Sequence, residues 1–171
     1  MSRIIQLMPK SLQDRLDVKR CSDMALVHDM AEALVGDITP VDGVAKEEKS
    51  RRESETMDYI CNNLLGQYED GSQGRELREL WQEYEDSKTP ESKFVHDVDK
   101  VELILQMYEY EERYKCEKDL GEFAWVTTKI ETPEAKRMSD RILLDRVALW
   151  KKYGKEAKWP QDTKPETKMV P

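Results

Sequence analysis

Leu26-Val27-His28-Asp29-Met30-Ala31-Glu32-Ala33-Leu34-Val35-Gly36-Asp37-Ile38-Thr39-Pro40 reads as the C-terminal half of a helix that is apolar on nearly every side. Preceded by Met24 and Ala25, it has no broad polar face, which predicts a buried helix over residues 17–35. Yet it carries one imidazole and three carboxylates within ten positions. Ionised carboxylates in a core are costly unless something positive compensates them, and a divalent cation suits a His, Asp and Glu donor set. His28 and Glu32, four apart, share a helix face, while Asp29 sits about 100° round from His28. Gly36 suits the exit from the helix, and the turn ending at Pro40 folds Asp37 back toward the same end. A satisfied core histidine among ordinary cap and surface acids is the plainer alternative. The offsets of the acids in so apolar a segment favour the metal.

The rest of the chain supports a helical fold. Its 171 residues are enough for one domain with a real core, 37% are charged and 38% apolar, and glycine and proline number seven each. No stretch alternates as a sheet strand does. Lys46 to Leu65 reads as an amphipathic helix with Met57, Ile60 and Leu64 inward. Lys46, Lys49, Arg51 and Arg52 crowd its first turns, interleaved with Glu47, Glu48 and Glu53. They are either a solvated salt-bridged face or, in part, a grip on a phosphate. Arg75 to Asp86 forms a shorter helix with Leu77, Leu80, Trp81 and Tyr84 along one side.

Thr89-Pro90 opens a helix over about 90–114, with Phe94, Val98, Val101, Leu105 and Tyr108 as its core stripe. Asp99 lies on an adjacent, largely apolar face and is a second suspicious acid. His96-Asp97, beside Lys93 and Lys100, reads as a surface or rim pair. A short helix over Asp119 to Ile130 follows. Thr132-Pro133 starts another that runs to Tyr153, buried through Leu143, Val147 and Trp150. The N-terminal Met1 to Met8 reads as part of a helix. Residues 1–153 are expected to form the domain and 154–171 a disordered tail.

Several classes of function are disfavoured. A net charge of −8 argues against a DNA or RNA polymer as partner. No apolar run is long enough to span a membrane. Cys21, Cys61 and Cys116 are scattered and odd in number, which fits a reduced cytoplasmic setting, with the nucleus also admissible.

The blocks taken together resemble the HD-domain metal phosphohydrolases, and more narrowly the HD-domain 5′-deoxynucleotidases. The resemblance rests on His28-Asp29, Glu32 and Gly36-Asp37-Ile38-Thr39-Pro40. It continues through Lys46-Glu47-Glu48-Lys49, Arg51-Arg52-Glu53 and Phe94-Val95-His96-Asp97-Val98-Asp99-Lys100-Val101-Glu102. Ile104-Leu105-Gln106 and Glu109-Tyr110-Glu111 extend it, so that it spans about Cys21 to Tyr153. It implies an all-α HD-domain bundle of about five to seven helices. It also implies hydrolysis of deoxynucleoside 5′-monophosphates with a divalent cation, Mn²⁺, Co²⁺ or Mg²⁺.

Such sites hold the metal with a His, a His-Asp pair and a distant Asp. The last three carry over as His28, Asp29 and Asp99, with Glu32, Asp37 and Ile38 as further candidates around the metal. Glu32 and Asp37 are the implied catalytic acids; Asp29, Asp37, Ile38, Thr39, Pro40 and Asp99 the implied substrate contacts. No histidine precedes Cys21, so the chain is expected to be a member without the family's N-terminal helices. The apolar surface left uncovered would favour association, and a homodimer is compatible with it. The alternative function is an impaired or inactive remnant that serves as a helical interaction protein.

Overall fold

The computed structural model describes residues 1–39, 42–68 and 70–160. In chain order its α-helices are α1 (Ser2–Gln6), α2 (Lys10–Gln13), α3 (Val18–Val27), α4 (Glu32–Val35), α5 (Lys46–Asp58), α6 (Ser72–Asp86), α7 (Pro90–Arg113) and α8 (Pro133–Lys152). A π-helical turn, Tyr59–Leu64, extends α5, and a 3₁₀ helix, Gly121–Lys129, precedes α8. Five of the α-helices have ten or more residues, and no strand occurs among the described residues. The architecture is the all-α one that the periodicities predict. No helix of the described residues is long and apolar enough to cross a membrane.

α7 is the axis. Its 24 residues give a rod of about 36 Å at 1.5 Å per residue. Thr89 caps it by accepting from Ser92 N at 3.1 Å, with Pro90 in the first turn. Its N-terminal half packs Phe94, Val95 and Val98 against Ile5, Met8 and Leu12 from the first two helices, Cys21 and Met24 of α3, and Tyr84 of α6. Its C-terminal half packs Ile104 and Met107 against Ala124, Val126 and Leu143. Burying each such aliphatic side chain contributes about 1.5–3 kcal/mol. The core stripe differs from the expected one here, since Leu105 and Tyr108 are half-buried and Ile104 and Met107 take their places. Ala124 and Val126 of the 3₁₀ helix and Leu143 of α8 pack on Ile104 and Met107, so the buried face lies one residue away from the expected stripe.

The organising segment is not one helix. α3 stops at Val27, and residues 28–31 wind through i→i+3 turns, Met30 N to Val27 O and Glu32 N to Asp29 O, before α4 resumes. Through this tighter winding the His28 side chain is largely buried while Asp29 beside it stays more exposed. Full burial is not observed either, because Leu26 and Leu34 are 70% and 63% exposed. In the π-helical turn, the longer loop of backbone shifts the phase, so Cys61 is buried and Leu64 exposed. Gly74 of α6 lies so close to the Cys61 carbonyl that a Cβ there would overlap it, which lets the two helices meet.

Asp97 is not a surface residue. It is 1% exposed, and its carboxylate accepts from Glu131 N at 3.1 Å and from Thr132 N at 2.7 Å. It therefore caps α8, a task the Thr132 hydroxyl does not perform. Nor is the start of the expected tail free. Trp159 packs into the Ile104–Leu143 cluster, and Lys158 N donates to Asp119 Oδ2 at 2.8 Å. Residues 161–171 lie outside the described residues. Beneath residues 154–160, Arg146 is wholly buried, donating to both oxygens of Glu111, to Asp119 Oδ1 and to the Lys158 carbonyl.

Candidate active site

His28 follows the last turn of α3, and its ring position is fixed from two sides. Nδ1 lies 3.1 Å from the Ala25 carbonyl, which can only accept, so Nδ1 carries the proton. The ring edge meets Tyr84 of α6 at 5.2 Å between centroids. Nε2 then faces Asp29 Oδ2 at 2.9 Å and Asp99 Oδ1 at 3.8 Å. Asp99 comes from α7, seventy residues after Asp29. Burial alone would lower the pKa of the imidazole, but the bonds to Asp29 and Asp99 outweigh it and raise the pKa to about 10.

These three side chains open onto a cavity of about 490 Å³, whose wall also includes Glu32, Lys46, Lys49, Glu53, Glu85 and His96. Six carboxylates line it, Asp29, Glu32, Glu53, Glu85, Asp86 and Asp99, against two lysines. Burial raises the Glu32 carboxyl, and the charges of Asp29 and Asp37 add to that rise while Lys49 opposes it. Burial, with Glu53 nearby, raises Glu85 likewise. A phosphate dianion meets net repulsion in such a cavity unless a cation accompanies it.

The donor chemistry fits a divalent metal. Nδ1 is held by a backbone carbonyl, the usual way of orienting a ligating imidazole, and Nε2 is aimed at two carboxylates. Donors about 2.1 Å from one ion lie about 3 Å apart when at right angles. Asp29 already has that spacing from His28, and Asp99 needs to move in by under an ångström. No group of three or more His, Cys, Asp or Glu among the described residues forms a finished metal cage.

The structure brings His28, Asp29, Glu32 and Asp99 together on one wall. It does not bring the loop after α4 into that wall. Gly36 leaves the helix at φ +77°, Asp37 is exposed, and the Ile38 carbonyl accepts from Lys49 Nζ at 3.0 Å. The Thr39 amide and hydroxyl both donate to Asp42 Oδ2 at 2.7 Å, and Pro40 lies outside the described residues.

The cation cluster of α5 divides. Lys46 and Lys49 face the cavity. Arg51 pairs with Glu48 and Glu55, and Arg52 with Glu48, on the solvent side. His96, placed at the rim by its sequence context, is half-buried on the cavity wall. Its Nε2 meets the Tyr84 carbonyl at 2.9 Å, and its ring stacks on Tyr84 at 3.9 Å. Burial lowers its pKa. Sequence reasoning missed Tyr84, Glu53 and Glu85 as wall residues. For Glu53 a signal existed, because it shares the i, i+4, i+7 face of Met57 and Ile60.

The HD domain family model matches residues 1–139. The chain is 46% identical to 5′-deoxynucleotidase hdd1 of Schizosaccharomyces pombe over 79% of its length and 68% of that protein. The chain belongs to the HD-domain family, in its 5′-deoxynucleotidase branch. To 5′-deoxynucleotidase YGK1 of Saccharomyces cerevisiae it is 42% identical, over 79% of the chain and 62% of that protein. To human 5′-deoxynucleotidase HDDC2 it is 50% identical, over 58% of the chain and 46% of that protein. It thus spans roughly half to two thirds of these HD-domain relatives. Among solved structures, the HD domain-containing protein YGK1 superposes with a TM-score of 0.70 at 34% identity. That match covers 88% of this chain and 74% of the other.

Proposed function

We propose that this HD domain hydrolyses deoxynucleoside 5′-monophosphates to deoxynucleoside and phosphate, with a divalent cation held by His28, Asp29 and Asp99. The observation that carries the reading is the approach of Asp99 to the His28-Asp29 pair on the wall of one acid-rich cavity. The names of the relatives, all 5′-deoxynucleotidases, support the substrate class. The cavity volume of about 490 Å³ falls within the usual range of small-molecule sites, about 300–1,000 Å³.

A divalent cation held by His28, Asp29 and Asp99 would compensate the phosphate charge and make a bound water more acidic; Mn²⁺, Co²⁺ and Mg²⁺ are the candidates. The protein's own groups divide the remaining work. The raised Glu32 carboxyl, on the same wall, is suited to accept the proton of the attacking water. Asp37 is the proposed source of a proton for the leaving 5′-oxygen, carried with Ile38 and Thr39 on the loop after α4. Lys46, on the cavity wall, adds positive charge toward the phosphate.

A helical interaction protein without turnover is the second reading. It is favoured by the looseness of the donor set, with Asp99 at 3.8 Å from the imidazole. One assay separates the two. Phosphate release is measured from a panel of dNMPs and NMPs after EDTA treatment and re-addition of single metals. Metal-restored release from dNMPs is the expected result; no release with any metal overturns the enzymatic reading.

A further inference from the structure

Lys49 contacts Glu32 and the residue after Asp37; Glu32 and Asp37 are the two carboxylates to which the proposed reaction assigns proton transfer. Its ammonium donates to the Ile38 carbonyl, one residue after Asp37, at 3.0 Å. It also lies 3.9 Å from Glu32 Oε1 and 3.5 Å from Glu53 Oε1. The three partners come from the loop after α4, from α4 itself and from α5. Among the described residues, that bond to Ile38 is the polar link between α5 and residues 36–39; Thr39 is tied only to Asp42, within its own turn. The loop has little else to fix it, since Gly36 at φ +77° leads into it with open space around its α-carbon and Asp37 is exposed.

We propose that Lys49 is a positioning residue, a latch that holds the Asp37 loop and the Glu32 helix at a fixed distance from the His28 wall. This rests on the functional reading above. Charge and reach both matter. An ammonium satisfies a carbonyl and two carboxylates at once, whereas a neutral side chain of similar length leaves Glu32 and Glu53 unopposed in a cavity already rich in acids. Glu53, almost wholly buried, fixes the latch from below at the i+4 position. Neither Arg51 nor Arg52 can substitute, because both are turned outward onto Glu48.

The test compares Lys49→Met, Lys49→Arg and the outward control Arg52→Met with the wild-type chain. Hydrogen–deuterium exchange of peptides covering residues 32–39 reads the latch directly. Lys49→Met is expected to speed exchange there at least tenfold without changing it in α7 or α8, while Lys49→Arg and Arg52→Met leave it near wild type. In the dNMP assay, Lys49→Met is expected to lower kcat at least tenfold with KM within threefold, and Lys49→Arg to restore most of kcat. Unchanged exchange at residues 32–39 in Lys49→Met overturns the latch whatever the activity. Faster exchange with kcat within twofold of wild type overturns its positioning role. A wild-type chain inactive on every dNMP sinks the functional reading, and exchange still decides whether Lys49 latches the loop.

Discussion

Replacing Arg146 by Met tests what joins α8 to the rest of the domain. Arg146 and Glu111 are both fully buried, bonded through Nε to Oε2 at 2.8 Å and through Nη2 to Oε1 at 2.9 Å. Nη2 also reaches Asp119, and Nη1 the Lys158 carbonyl. Removing the cation leaves Glu111 charged in a dry core with Trp150 Nε1 and Leu120 N as its remaining donors. Losing one partner of a buried pair costs about 3–5 kcal/mol, a large share of a total stability of about 5–15 kcal/mol. At about 2–4 °C per kcal/mol for a chain of this size, the melting temperature should fall by roughly 6–20 °C in calorimetry. Adding Glu111→Gln should recover part of the loss, since the amide oxygen still accepts from Trp150 or Leu120 and no bare charge remains. A Met variant within about 1 kcal/mol of wild type, or a double variant less stable than Arg146→Met, would refute the reasoning.

Three further outcomes are expected. Asp99→Ala should weaken Mn²⁺ binding in calorimetric titration about 10²-fold, equivalent to ~2.7 kcal/mol, and abolish phosphate release. Asp97→Ala should leave metal binding unchanged but lower stability by about 1–3 kcal/mol in urea titration, because it strips the cap from α8. Gly36→Ala meets nothing in space, so its cost of about 1–3 kcal/mol in the same titration is that of forcing a Cβ residue into φ +77°, ψ 163°.

The helices were legible where apolar spacing alone decides them. α7 and α8 begin within a residue of their Thr-Pro signals, because proline and the preceding extended residue restrict the backbone locally. What the spacing could not show was competition between neighbours. The 17–35 segment has an unbroken apolar pattern, yet it breaks at His28, where the ring takes up the Ala25 carbonyl and the backbone tightens to i→i+3 turns. Nothing in the sequence around Arg146 on α8 signals its burial, and only its partners from α7 and from residues 119 and 158 explain it.

The same distinction runs through the site. His28, Asp29 and Glu32 were legible because acids in an apolar segment need compensation, and Asp99 because it repeats that anomaly on α7. Adjacent in sequence, His96-Asp97 and His28-Asp29 are the same dipeptide, and the fold gives them different work. At residues 28 and 29 the α-helix gives way to tighter i→i+3 turns and both side chains line one cavity, with Asp29 2.9 Å from the ring. At residues 96 and 97 the helix is intact, so the two side chains diverge by about 100°. His96 faces the cavity beside Tyr84 and Asp97 faces the start of α8. A His-Asp doublet therefore acquires a shared cavity-facing geometry from the break after α3, and the local backbone, as much as the residue types, determines which of the two pairs converges on one site.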